Sequence, residues 1–146
     1  MRPGAVDGRG RAAMRPTPIE EIIEQMDAGL DRAVLRVLSQ RVGQDMAIDK
    51  ALLIFELGRM GFGVRQNKAT FERQVRRCIV ELRKSGQLIC SSSGEGGYFL
   101  AGTQQEYDTF VQEEYVNKIE DMKETVAAMN AEAIKRWGHG MQMGLF

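Results

Sequence analysis

The sequence predicts a mainly α-helical fold with one two-stranded hairpin and a long C-terminal helix. Three observations carry this. Apolar residues recur at helical spacing in the segments between residues 18 and 84. Two short apolar runs, Leu88 to Cys90 and Tyr98 to Ala101, flank a Ser/Gly stretch, as in a hairpin. From Thr103 a capping signal opens a helical pattern that extends to about Trp137.

With 146 residues, 43% apolar and 27% charged, the chain has room for one modest core and some extensions. Residues 1–17 are Gly, Arg, Ala and Pro with almost nothing to bury, so they read as a disordered basic N-terminus. They contain no continuous apolar stretch of the kind a secretory signal needs, and Met14 is an alternative start. No run approaches the roughly eighteen apolar residues of a membrane span, so no membrane partner is expected. Cys78 and Cys90 form no CxxC pair and no disulfide framework, which suits a cytoplasmic setting.

The first helix is expected from Pro18 (PIEEIIEQMDAG), with acids in its first turn and Gly29 near its end. The next, LDRAVLRVLSQRVG, carries the stripe Leu30, Val34, Leu35, Val37 and Leu38, and Gly43 closes it. A third runs from about Ile48 or Asp49 to Met60 and is followed by the loop GFGVRQ.

The fourth helix, KATFERQVRRCIVELRKSG, is the most informative. Phe71, Val75, Cys78, Ile79 and Leu82 share one narrow sector at about 100° per residue and form its core face. Cys78 is therefore read as a small core residue rather than a reactive thiol. Thr70, Arg73, Arg77 and Lys84 occupy the opposite sector with Val80 among them, and Arg76 and Arg83 lie on a flank. Asn67 is placed to cap the helix, and Gly86 to end it.

The net charge is zero, yet it is segregated along the chain. From Arg59 to Lys84 there are eight basic residues against two acidic ones; from Thr103 onward there are four basic against eight acidic. Such segregation makes one face attractive to phosphate, while the average conceals it.

In the C-terminal helix, Val111, Tyr115, Ile119, Met122, Val126, Met129 and Ala133 follow one another at intervals of 4, 4, 3, 4, 3 and 4. This is a heptad seam softened by Met and Ala, and a homodimer through residues 111–133 is one expectation. Thirty helical residues span about 45 Å. That is more than a small domain can flank, so part of the helix must project, fold back or pair with another copy.

The second to fourth of these helices, the last basic on its outer face, followed by a hairpin, are the order of a winged helix-turn-helix. The expected organisation is a winged-helix domain over 18–102, a long helix over 103–137 and a flexible tail over 138–146. In this reading Arg73 and Arg77 point at double-stranded DNA. Gln66, Asn67, Lys68, Thr70 and Gln74 supply contacts near the helix start, Lys84 continues the line of Arg73 and Arg77, and Arg76 adds a cation on the flank. VRRCIVELRKSGQLICSSSGEGGYFLA resembles the LR-x-x-G…I-x-S…GY-x-L pattern of the N-terminal winged helix of the biotin operon repressor, through Leu82-Arg83, Gly86, Ile89, Ser91, Gly97-Tyr98 and Leu100. Through Gly43, Ile48, Val75-Arg76, Ile79, Leu82-Arg83, Gly86, Ile89 to Ser92, Gly97-Tyr98, Leu100-Ala101 and Glu106, the stretch from Arg41 to Glu106 also resembles a group of small phage and prophage winged-helix proteins. These resemblances imply the fold and, less directly, DNA binding. The wing SSSGEGG departs from the usual pattern: it carries Glu95 and no Lys or Arg. Winged helices also dock proteins, so an adaptor without DNA contact stays open, as does a dimeric transcriptional regulator.

The chain ends QMGLF. This resembles the peptide of consensus Gln-Leu-Ser/Asp-Leu-Phe by which bacterial replication and repair proteins bind the sliding clamp. The resemblance implies that Gln142 anchors by its amide, Met143 fills a tolerant position, and Leu145 and Phe146 enter an apolar pocket. Gly144 departs from Ser or Asp, and WGHG would present the peptide flexibly. The alternative is that Leu145 and Phe146 pack on the long helix beside Trp137. His139 reads as a spectator. With no catalytic triad, no paired carboxylates, no nucleotide loop and no Cys/His cluster, neither an enzyme nor a metal or cofactor site is expected. The whole reading is a cytoplasmic, nucleoid-associated DNA-binding protein concerned with replication or its control.

Overall fold

The computed structural model describes residues 18–92 and 96–142. It is mainly helical, with a small two-stranded antiparallel sheet and a long C-terminal helix. Helices α1 (Ile19–Gln25), α2 (Leu30–Leu38), α3 (Lys50–Arg59) and α4 (Lys68–Lys84) precede strands β1 (Ile89–Ser91) and β2 (Tyr98–Leu100). The chain then continues through α5 (Gln104–Val111), a π turn (Gln112–Val116) and α6 (Asn117–Trp137).

The first helix is shorter than its sequence pattern predicts. Met26 leaves the helix for the extended region, its N–H bonded to the Ile23 carbonyl, and Gly29 serves as the N-cap of α2 rather than the end of α1. In α2, Ala33, Val34, Leu35 and Leu38 are buried, while Leu30 and Val37 pack against the core from its margin. Helix α3 contributes Leu53 and Leu57. The five buried residues of α4 are Phe71, Val75, Cys78, Ile79 and Leu82, the sector expected from its periodicity.

The hairpin pairs Ile89 with Leu100, Cys90 with Phe99 and Ser91 with Tyr98. Side chains alternate across a strand, so its two faces serve different clusters. Ile89, Tyr98 and Leu100 join the helical core, whereas Cys90 and Phe99 form a second cluster with Phe110 of α5. The small sheet is thus buried on both faces, and α5 covers the outer one.

The segment between α2 and α3 extends this sheet, which the sequence pattern did not foretell. Gly43 N–H donates to the Leu100 carbonyl at 2.8 Å, and Leu100 N–H donates to the Arg41 carbonyl at 2.8 Å. Ile48 and Tyr98 exchange both main-chain bonds, at 2.8 and 2.9 Å. The approach is so close that a Cβ at Gly97 would collide with the Ile48 carbonyl.

Two features of the long helix also differ from expectation. Thr103 caps it, its hydroxyl accepting from Glu106 N–H at 3.1 Å. The Glu106 carboxylate, however, reaches past the helix start, accepting from Gly102 N–H at 2.9 Å and from Gln44 N–H at 2.6 Å. It ties the helix to the inter-helix segment as well as capping it. These main-chain donors, Gln44 first, hold its carboxyl below the usual carboxylate range.

The second difference is the π turn. The seam intervals place one residue more than a heptad repeat allows between Val111 and Ile119. The wider turn at Gln112–Val116 takes up that residue. In a regular α-helix residues five apart point about 140° away from each other. Across the π turn, Phe110 and Tyr115 instead meet edge to face, with ring centroids 5.7 Å apart. Beyond it no residue of α6 is buried. Met122 and Met129 are each 68% exposed. Among the described residues no helix is long and apolar enough to cross a membrane.

Candidate nucleic-acid interface

Helix α4 is positioned from both ends. At its start the Asn67 side chain accepts from Ala69 N–H at 2.8 Å and from Thr70 N–H at 3.4 Å. At its end Gly86 takes a left-handed φ of 101°, directing the chain into the hairpin. The buried stripe then fixes the rotation of the helix, leaving its other side in solvent.

Every residue expected to meet DNA is exposed: Gln66, Asn67, Lys68, Thr70, Arg73, Gln74, Arg76, Arg77 and Lys84. Arg73, Arg77, Val80 and Lys84 follow one another along a single line of the helix surface. Lys68 is paired with Glu72 at 3.9 Å and Lys84 with Glu81 at 3.6 Å, both at the surface, where such pairs contribute little. No ion pair engages Arg73 or Arg77 among the described residues. Arg76 is close enough to act electrostatically on the Tyr98 hydroxyl, so it lies toward the hairpin. Asn67 differs from the expected readout role: its side-chain oxygen is committed to the cap, which leaves only its amide for a ligand.

Arg83 is the residue whose part the sequence did not disclose. It counts toward the basic segment, yet its guanidinium turns inward over the Phe110 ring at 4.7 Å. Its Nε donates to the Ile89 carbonyl at 2.7 Å and its Nη1 to the Tyr115 hydroxyl at 3.3 Å. One cation therefore joins α4, β1 and the π turn and is withdrawn from the outer face. The signal in the sequence was weak: a flank position on α4, facing an aromatic-bearing helix that only the fold brings near.

Beside Arg83 lies an open apolar groove of about 470 Å³, lined by Val80, Leu88, Tyr107, Val111 and Tyr115. Val80 and Leu88 are 43% and 51% exposed, so this is a surface feature next to the basic line. The apolar Val80 among basic neighbours was its only trace in the sequence.

The thiols take no part in the exposed face. Burial, then the Asp31 carboxylate that accepts from Cys78 Sγ at 2.8 Å, holds the Cys78 thiol far above its usual range. Burial pushes the Cys90 thiol up to about 11. Among the described residues no group of three His, Cys, Asp or Glu side chains could hold a metal.

At the far end Gly138 adopts a left-handed φ of 83° and its N–H bonds to the Ile134 carbonyl at 2.9 Å. The chain then doubles back. Asn130 Nδ2 donates to the Met141 carbonyl at 2.9 Å, and Met141 N–H donates to Asn130 Oδ1 at 3.2 Å. WGHG, expected as a free linker, thus starts as a hook held by one side chain. Gln142 follows it, exposed. Met143, Leu145 and Phe146, the rest of the expected clamp-binding residues, lie outside the described residues, as do residues 1–17 and Glu95 of the expected wing. Compared with known proteins, the chain matches no family model, no curated protein and no solved structure.

Proposed function

We propose that this is a non-enzymatic winged-helix protein of phage or prophage type that binds double-stranded DNA through the outer face of α4. The observation that supports the reading best is the solvent-facing line of Arg73, Arg77 and Lys84, which no apolar contact needs for the fold. Two arginines one turn apart on a capped helix suit phosphates and base edges along a major groove. Arg76, Lys68, Gln66, Thr70 and Gln74 extend the contact toward both sides. Bound in this way the protein would be nucleoid-associated.

The tail supplies a second affinity. Gln142, Met143, Leu145 and Phe146 would engage the bacterial sliding clamp, recruiting the DNA-bound protein to replication. Two modest affinities joined by a tether each raise the effective concentration of the other. A second reading, a dimeric transcriptional regulator, is favoured by the exposed apolar line of α6, which would set the spacing of two recognition helices. A protein-docking adaptor without DNA contact is the reading left if duplex binding fails.

Fluorescence anisotropy with labelled duplex DNA separates these readings. Binding should weaken with salt. Arg73→Ala and Arg77→Ala, each removing one cation from the phosphates, should each lower the slope of log K against log salt by about 1. Unchanged affinity in the double variant would sink the α4 assignment. A labelled peptide covering His139 to Phe146, titrated with purified clamp, should bind at micromolar concentration and lose binding on Leu145→Ala with Phe146→Ala. No binding at high micromolar clamp would remove the replication role and leave the regulator.

A further inference from the structure

The apolar line of the long helix and the groove beside Arg83 meet at Val111 and Tyr115. We infer that two copies of this chain pair antiparallel along α6, and that Trp137 of each copy closes the apolar groove of the other. The inference rests on reading the seam as a self-pairing face; it does not depend on DNA binding.

The seam is symmetric about residue 124. Past the π turn the intervals from Tyr115 to Ala133 run 4, 3, 4, 3, 4, which read the same in either direction. An antiparallel partner centred there sets Tyr115 against Ala133, Ile119 against Met129 and Met122 against Val126, each twice. Every layer then joins a large side chain to a smaller or more flexible one, as interdigitated packing requires. Among the described residues no element buries this line: Tyr115 is 40% exposed, and α6 has no buried residue.

Charge selects the antiparallel sense. The residues flanking the seam are Lys118, Thr125 and Glu132 on one side and Val116, Lys123 and Asn130 on the other. In antiparallel pairing Lys118 of each copy faces Glu132 of the other, and Thr125 faces itself. Lys123 meets its counterpart once, at the centre, each drawn toward Glu120 on its own helix at 3.6 Å. Parallel pairing would instead set Lys118 against Lys123 twice and bring neither to the partner's Glu132, leaving each only the acid on its own helix, Glu114 and Glu120.

The same register continues past the seam. It brings Trp137 of one copy level with Val111 of the other, where the seam runs into the groove. Trp137 is 72% exposed in a single chain. A large indole left in water opposite an apolar groove of about 470 Å³ is an anchor and its receptacle. The π turn makes this possible, because it rotates Tyr115 onto the groove while keeping Ile119 and the residues after it in phase.

The experiment uses the full chain without DNA. Sedimentation velocity from low to high micromolar protein should show a monomer passing to a dimer. Trp137 is the only tryptophan, so its emission should move to shorter wavelength over the same range. Met122→Glu should weaken dimerisation by at least about tenfold with an unchanged far-ultraviolet circular dichroism spectrum, since Met122 supports nothing within one chain. Lys118→Glu should weaken the dimer, and adding Glu132→Lys should restore it. A chain monomeric throughout would overturn both the seam and its register. A dimer strengthened by Lys118→Glu, or one leaving the Trp137 emission unmoved, would keep a self-pairing seam and overturn the antiparallel assignment. Loss of DNA binding in separate assays would touch neither result.

Discussion

Arg83 shows how far a single residue's role can depart from its place in a pattern. On the helical wheel it is one more base on a basic helix; in the fold it stacks on Phe110 and donates to the Ile89 carbonyl and the Tyr115 hydroxyl. Lysine cannot reproduce a planar fork that stacks and donates in two directions. Arg83→Lys should therefore cost about 1–3 kcal/mol in urea denaturation, with duplex affinity little changed. Glu106 is the second such residue. Its carboxylate is held below its ordinary value of 4.5 by main-chain donors, so its contribution is present above that pH and is lost as pH falls through the folded-state value. Wild type should melt at a higher temperature than Glu106→Gln above the ordinary carboxylate range, and the gap should close as pH falls through the lowered folded-state value. A gap independent of pH would show that shape, and not charge, ties Glu106 to Gln44 and Gly102.

Among the elements, the hairpin and the π turn are the two that the linear pattern describes least. The hairpin's strands were legible from Leu88–Cys90 and Tyr98–Ala101, but its third partner, the 41–48 segment, was not. That segment has no strand-like alternation; it is held because its main-chain groups face those of Tyr98 and Leu100. Gly97 permits this closeness by having no side chain. Gly97→Ala should destabilise the protein by about 1–3 kcal/mol, read as a lower melting temperature, because the obstructing atom is backbone and cannot swing away. The π turn was encoded as an arithmetic irregularity, the extra residue between Val111 and Ile119. What that residue does became visible only when Phe110 and Tyr115 were seen to meet across it.

For the whole molecule, the long helix has two parts with different duties. Its first two turns cover Cys90 and Phe99 through Phe110, so they belong to the folded core. Its remainder buries nothing. A chain ending at residue 102 should lose the second apolar cluster and melt early or fail to fold, since removal of a buried Phe alone costs about 3–5 kcal/mol. A chain ending near residue 120 should keep the melting temperature that dilute wild type has. Circular dichroism melts of the two truncations decide the matter, and equal stability of both would mean that α5 is dispensable.

Local sequence signals by themselves determined the helical segments apart from the end of α1 and the π turn, the core face of α4, the Asn67 cap and the exposure of the basic line. Each depends on neighbours within a turn or two, and local sterics and the apolar–polar alternation are enough to define them. The tertiary structure alone decided that Arg83 faces inward, that Glu106 binds Gln44, that the 41–48 segment joins the sheet and that Trp137 is left largely in solvent. These depend on how residues distant in sequence are brought together, which happens only once the elements have packed, because no periodicity of one segment encodes what another segment places against it.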